Sequence, residues 1–179
     1  MLLRDGREVT LRPVMAEDEE FLLAVYASTR EAELAQVEWA EGQKEAFLRM
    51  QFDAQRREYS ARFPDAGYDV ILVGSRPAGR IWVGRTADEL RLLDIALLPE
   101  HQNRGVGGLL LGRLMEEARA VRKPLRHMIF ILNTDARRFY ERLGFEVVEV
   151  FNGAYLHMEW RPDGACDALA AGGAPISRS

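Results

Sequence analysis

The stretch Leu97-Leu-Pro-Glu-His-Gln-Asn-Arg-Gly-Val-Gly-Gly108 has the residue types of an anion-binding loop. Gly105, Gly107 and Gly108 leave no Cβ between the backbone and an approaching ligand. Apolar residues then recur at Val106, Leu109, Leu110, Leu114, Ala118 and Val121, which is helical spacing. The loop therefore opens a helix of about Gly105–Val121. The first turn of such a helix carries backbone N–H groups without partners, at the positive end of the dipole. Arg104 adds a fixed charge beside them. These are the parts of a phosphate site. No Gly-Lys-Ser/Thr follows, so it is not a Walker loop, and the third glycine is misplaced for a dinucleotide fingerprint. A Gly-rich helix start needed only for packing is the structural alternative.

The elements around the loop decide what it serves. Residues 7–13 have the pattern of an opening strand ended by Pro13. Helical spacing follows from Ala16 to about Arg30, with Phe21, Leu22, Val25 and Tyr26 apolar and acids crowding its start. A second helix is predicted over Glu41–Arg62, with Phe47, Leu48, Met50 and Phe52 on or near its buried side. The ELAQVEW segment between the two helices has no pattern of its own. Tyr68–Gly74 and Arg80–Thr86 form a hairpin about the turn SRPAG. Leu90–Leu98 is a mostly apolar strand, which predicts a central position. Pro124–Leu132 is a further strand reached by a helical crossover, so it should run parallel to Leu90–Leu98 in a right-handed unit. Thr134–Leu143 is a short helix ended by Gly144. The last two strands, 145–151 and 154–160, join at Asn152-Gly153, a hairpin turn. The fold class is mixed α/β.

Composition bounds the rest. The chain has 179 residues, 47% hydrophobic and 29% charged, with net charge −4. That suits a single folded domain over residues 1–160. Residues 161–179, rich in Ala, Gly, Ser and Pro, predict a flexible tail. No basic stripe is present, which argues against nucleic acid as a partner. No apolar run has the ~18 residues of a membrane span, and the first residues lack a signal-peptide core. The single cysteine, Cys166, makes no intrachain disulfide and fits a reducing, cytoplasmic setting. No metal site is expected.

Gln102-Asn-Arg-Gly-Val-Gly107, after a strand ending in Leu-Leu-Pro, resembles the acetyl-CoA signature of the GNAT superfamily of N-acetyltransferases. The segment Asn133–Phe145, NTDARRFYERLGF, resembles that family's second motif: Asn, Ala, an apolar residue, Tyr, then Gly-Phe. The two stand in order, separated by a helix and a strand, and the resemblance covers roughly residues 7–160. It implies a single-domain mixed sheet with a splayed central parallel strand pair and flanking helices. It further implies that acetyl-CoA is the cosubstrate. Its pyrophosphate would lie on the backbone of Asn103–Gly108 after Gln102, and its arm would bond the backbone of Leu97 and Leu98, with Asn133 on the other side. Tyr140 matches the usual general acid.

The implied chemistry asks for specific groups. An amine attacking a thioester forms a tetrahedral oxyanion, which the backbone N–H near Leu97 could stabilise. Tyr140, with an ordinary pKa of about 10, has a proton for the leaving thiolate. The amine must shed a proton. Asp94, in the otherwise apolar LLDIALL, is the candidate base, because burial raises a carboxyl's pKa. The competing reading is a structural acid paired with Arg80 or Arg126. Glu38 and His157 are lesser candidates, and Trp39 could line the acceptor site. The acceptor would be a small-molecule or peptide amine. Arg137, Arg138 and Arg142 have the charge to reach the cofactor's 3′-phosphate, although surface charge is their simpler role. A non-catalytic acyl-CoA-binding module would need the loop and neither Tyr140 nor a base. The final strands offer pairing edges for a homodimer.

Overall fold

A computed structural model describes residues 1–3 and 5–162. The C-terminal segment with Cys166 lies outside the described residues, and so does the expectation of a flexible tail over it. Among the described residues seven strands form one sheet: Val9–Pro13 (β1), Gly67–Val73 (β2), Arg76–Arg85 (β3), Leu90–Leu97 (β4), Leu125–Phe130 (β5), Glu146–Phe151 (β6) and Tyr155–Trp160 (β7). Their order is β1-β2-β3-β4-β5-β7-β6. Every neighbouring pair is antiparallel except β4 and β5, which are parallel. The helices are Glu19–Leu34 (α1), Gln43–Arg62 (α2), Val106–Ala120 (α3) and Thr134–Arg142 (α4). The parallel pair follows from the α3 crossover, since a tight turn cannot join parallel neighbours.

The period-2 alternation of the central strands gives the sheet two apolar faces. On one face Ile81, Val83, Leu90 and Leu92 pack with Leu110, Leu111 and Leu114 of α3 and with Tyr140 and Phe145. On the other, Val70 packs with Leu22 and Tyr26 of α1 and Leu48 and Phe52 of α2. Trp82 and Trp160 are both buried. The half of the sheet formed by β5, β7 and β6 leaves Met128, Phe130, Phe151 and Tyr155 exposed.

The structure corrects several local expectations. Met50 is 54% exposed, because Leu48 and Phe52 take the buried stripe at i and i+4 and residue 50 falls on the opposite side. Val121 caps α3 and is exposed. The β2–β3 turn is tighter than the five-residue SRPAG: Val73 already pairs with Arg76 across Gly74-Ser75, with Gly74 at φ 64°. Helix α1 continues to Leu34, so part of ELAQVEW is helical. Strand β5 ends at Phe130, two residues before Leu132.

Candidate active site

The parallel ladder between β4 and β5 has three rungs, Leu90 with Leu125, Arg91 with Arg126 and Leu92 with His127. Beyond Leu92 the two strands run on without pairing, so a gap opens between them toward Leu97. A register slip accompanies the opening: Trp82 pairs with Asp94 and Val83 with Leu92, leaving Leu93 as the extra residue of a bulge in β4. Ion pairs hold the closed end. Arg126 donates to Glu89 at 2.7 Å and to Glu159 at 2.5 Å, Arg91 donates to Glu89, and Arg161 to Glu159. Burial alone would raise the Glu89 pKa, but the hydrogen bonds from Arg91 and Arg126 outweigh it and hold the carboxyl below its ordinary value.

At the open end the backbone of Leu97 is presented to the gap. Leu98 donates its N–H to the Ala78 carbonyl of the neighbouring strand at 2.9 Å, so 78 and 98 form a bonded rung. Antiparallel rungs alternate, so Gly79 and Leu97 form an unbonded one, and the Leu97 N–H and C=O point away from β3, toward β5. The Leu97 carbonyl accepts a bond from Gln102 Nε2 at 2.8 Å. Of the two leucines expected to bond a ligand arm, Leu97 alone has an N–H free of the sheet. The Leu98 N–H is committed, and its carbonyl accepts from His101.

The loop that follows is exposed from Gln102 to Gly105. Asn103 (φ 56°) and Gly105 (φ 85°) both adopt left-handed backbone, which turns successive N–H groups toward one side in an anion-binding concavity. Gly105 is the N-cap of α3, and the first intrahelical bond runs from Leu109 N–H to the Gly105 carbonyl. The N–H groups of Val106, Gly107 and Gly108 thus have no acceptor within the helix. A Cβ at Gly108 would meet open space, and one at Gly107 would meet Phe139 at 3.5 Å. A cavity of about 660 Å³ borders the loop, lined by Asn103, Arg104, Gly105 and Leu109 with Leu2, Leu3, Asp5 and Arg7. That N-terminal wall had no signal in the sequence, because Leu2 and Leu3 belong to no periodic pattern.

Tyr140 and His127 meet at the apex of the gap. Tyr140 is buried on α4, with ring centroids 4.7 Å from His127 and 5.3 Å from both Phe139 and Phe145. Burial pushes its hydroxyl pKa well above the ordinary value, and the Asp94 charge adds to the rise. His127, which the sequence reading did not single out, is on the last rung, with Nδ1 2.7 Å from the Leu92 carbonyl. Burial lowers its pKa. A neutral ring in contact with a carbonyl oxygen must carry its proton on Nδ1. Its alternation with Leu125 and Ile129 marks it as core-facing, and that was the available signal.

Asp94 lies on the opposite face of the sheet, 2.7 Å from Arg80 Nε. The two are close as an ion pair, though not aligned as a hydrogen bond. Arg80 also donates to Gln55 at 2.9 Å and stands over the rings of Tyr26 and Phe52. Of the two arginines considered as partners, Arg80 is the one paired with Asp94, while Arg126 belongs to the closed-end cluster.

The remaining candidates are dispersed. The Asn133 side chain caps α4 by accepting from the Ala136 N–H at 3.0 Å, which leaves its amide NH₂ for other partners. Trp39 donates to the Leu34 carbonyl at 2.9 Å and packs on Phe47, as part of the α1–α2 contact. Glu38 is exposed in the same loop. His157 on β7 is stacked on Phe151 and is 3.1 Å from Glu149. Arg137 pairs with Glu141 along α4. Among the described residues no cluster of His, Cys, Asp and Glu could hold a metal ion, and no helix is long and apolar enough to cross a membrane.

The family model for the acetyltransferase (GNAT) domain matches residues 65–147, from the start of β2 into β6. The fold is shared with solved structures over most of the chain. The PaiA N-acetyltransferase of Thermoplasma acidophilum, solved in complex with coenzyme A, is 21% identical, with 86% of this chain and 99% of that chain covered at a TM-score of 0.63. An acetyltransferase from Thermus thermophilus is 23% identical, with 86% and 96% covered and a TM-score of 0.63. A GNAT family acetyltransferase from Elizabethkingia anophelis with acetyl-CoA bound is 14% identical, with 86% and 97% covered and a TM-score of 0.56. No curated protein matches the chain. Residues 65–147 thus match the acetyltransferase (GNAT) domain family, and the chain shares the fold of solved GNAT acetyltransferases.

Proposed function

We propose that the chain is an acetyl-CoA-dependent N-acetyltransferase that passes the acetyl group to a primary amine by direct attack. One observation carries the reading. The Leu97 N–H faces away from β3 at the open end of the β4–β5 pair, and the loop that follows leads directly to the N-terminus of α3. A long molecule with an anionic end and an acyl end fits both. The free N–H groups of Val106–Gly108 and the Arg104 charge suit its pyrophosphate.

In the reaction, the amine nitrogen forms a bond to the thioester carbon, and the carbonyl oxygen takes up negative charge. The Leu97 N–H, on backbone held by the sheet, is oriented to donate a hydrogen bond to that oxyanion without reorganising. Collapse of the intermediate breaks the C–S bond, and Tyr140 donates a proton to the departing sulfur. Because burial raises its pKa, Tyr140 keeps that proton through the whole neutral and mildly basic range. The amine's proton leaves through water or a carboxylate, for which Asp94 is the candidate. Its ion pair with Arg80 favours a structural role for Asp94, which leaves water as the competing acceptor. The same gap and loop also suit a second reading, a non-catalytic acyl-CoA-binding module. A cytoplasmic setting, for which the single cysteine speaks, belongs to the proposal.

Calorimetric titration of acetyl-CoA into the wild type and into Gly108→Glu tests cofactor binding. The substitution enters open space, so the variant should fold, and it puts a carboxylate where the pyrophosphate would lie. Saturable wild-type binding that the variant lacks supports the site. Absence of wild-type binding removes the proposal. Mass spectrometry of a primary-amine panel incubated with acetyl-CoA then separates enzyme from binding module: a +acetyl product supports the first, and tight binding without any product supports the second.

A further inference from the structure

We infer that Gly79 is a positioning residue for the Leu97 N–H, and so for the acyl end of the gap between β4 and β5. The inference rests on the acetyl-CoA reading above. Gly79 lies on β3 directly opposite Leu97. Its φ is not in the left-handed region, so the glycine is not there for backbone conformation. It is there for space. A Cβ at residue 79 would overlap the Ala96 carbonyl oxygen and come within 2.9 Å of Leu97 Cα and Cδ2. The obstruction is mainly backbone, which no change of rotamer relieves, so any larger residue must push β4 away from β3.

Two further contacts fix the same point. The β2–β3 register slips so that Ile71 faces Gly79 and Leu72 faces Pro77, leaving Ala78 as the extra residue of a bulge. The carbonyl of that extra residue accepts the Leu98 N–H at 2.9 Å. From the loop side, Gln102 Nε2 holds the Leu97 carbonyl at 2.8 Å. Leu97 is therefore clamped between the bare backbone of β3 and the loop that opens α3. Its N–H is left pointing into the gap. A displacement of a few tenths of an ångström at that N–H would misplace it against a thioester oxygen, while the N–H groups at the α3 terminus, several residues on, keep their positions.

Gly84 on the same strand supplies the comparison. It pairs with Arg91 at the closed end. A Cβ there would meet the Phe63 side chain at 3.2 Å and Arg91 Cβ at 3.7 Å, and the closer of these neighbours is a side chain that can rotate away.

The experiment is calorimetric titration of acetyl-CoA and of 3′-phospho-ADP, the cofactor fragment without the arm, into wild type, Gly79→Ala and Gly84→Ala. The expected result is that Gly79→Ala weakens acetyl-CoA about tenfold or more. The same variant should bind 3′-phospho-ADP as the wild type does, and Gly84→Ala should leave both affinities unchanged. Equal loss of both ligands in Gly79→Ala, or loss of neither, overturns the inference. If Gly79→Ala does not fold, Gln102→Leu removes the opposite clamp at an exposed position and must show the same selective loss. Wild-type protein that binds no acetyl-CoA fails the underlying reading, a result visible before any variant is compared.

Discussion

Arg80 and Asp94 face each other at 2.7 Å on neighbouring strands, and the arginine is 2% exposed against 21% for the carboxylate side chain. The more deeply buried member is thus the cation. An isolated buried guanidinium is costly, and it cannot shed its charge. Asp94→Ala should therefore destabilise the fold by about 2–3 kcal/mol, below the ~3–5 kcal/mol for breaking a fully buried pair because Asp94 is partly solvated. The double variant Arg80→Met, Asp94→Leu should regain most of that stability in urea unfolding. If Asp94→Asn instead keeps full stability and abolishes acetyl transfer, Asp94 is the base and not a structural partner.

Tyr140→Phe removes one hydroxyl from an otherwise aromatic cluster. Acetyl-CoA affinity should be unchanged, and the transfer rate should fall about 10²–10⁴-fold, the range for a positioned general acid. The wild-type rate should show no loss from Tyr140 ionisation up to about pH 10, since burial moves that pKa upward from its ordinary value. A basic limb that begins below pH 9 and vanishes in Tyr140→Phe would contradict the assignment.

His127 links pH to stability. Its pKa is lowered from 6.5 in the folded chain, so the unfolded chain binds the proton first as pH falls. The contribution of the neutral ring is complete above pH 6.5 and is lost as pH drops from there toward the folded value. Thermal melts should show the wild type losing stability between pH 7 and pH 5 more steeply than His127→Phe. Parallel slopes for the two proteins would show that another group dominates that window.

Arg126→Ala cuts the tie between Glu89 and Glu159 at the closed end of the β4–β5 pair. Both acids are buried and would keep Arg91 and Arg161 as partners. The expected cost is about 1–2 kcal/mol, less than for a lone broken pair. Hydrogen exchange should rise at the Leu90–Leu92 rungs, and an unchanged protection pattern there would mean the ladder itself holds the closed end.

Much of the fold was legible because its signals are local. The 3.6 period from Val106 to Ala118 marked α3, and a helix between two apolar strands obliged them to run parallel. The glycines at 105, 107 and 108 marked the loop, since bare backbone before a helix has a limited set of uses. Met50 was placed on the wrong side because a mainly polar helix carries a weak apolar stripe, and one stray apolar residue looks like part of it.

The tertiary pairings were not legible in the same way. Sequence named both Arg80 and Arg126 as partners for Asp94, and strand register chose Arg80: Asp94 lies opposite Trp82 and on the same face as Arg80. His127 drew no notice in the sequence, and only the last parallel rung puts it against Leu92 and Tyr140. Leu97 and Leu98 looked equivalent, yet the alternation of antiparallel bonds commits one N–H to Ala78 and leaves the other facing the gap. By itself, the sequence determined the order of elements, the Gly-rich loop that opens α3 and the family resemblance, because these depend on neighbours within a few residues. Which N–H is free, which arginine meets which acid and why residue 79 must lack a side chain depend on register between separate strands. Only the packed sheet fixes that register.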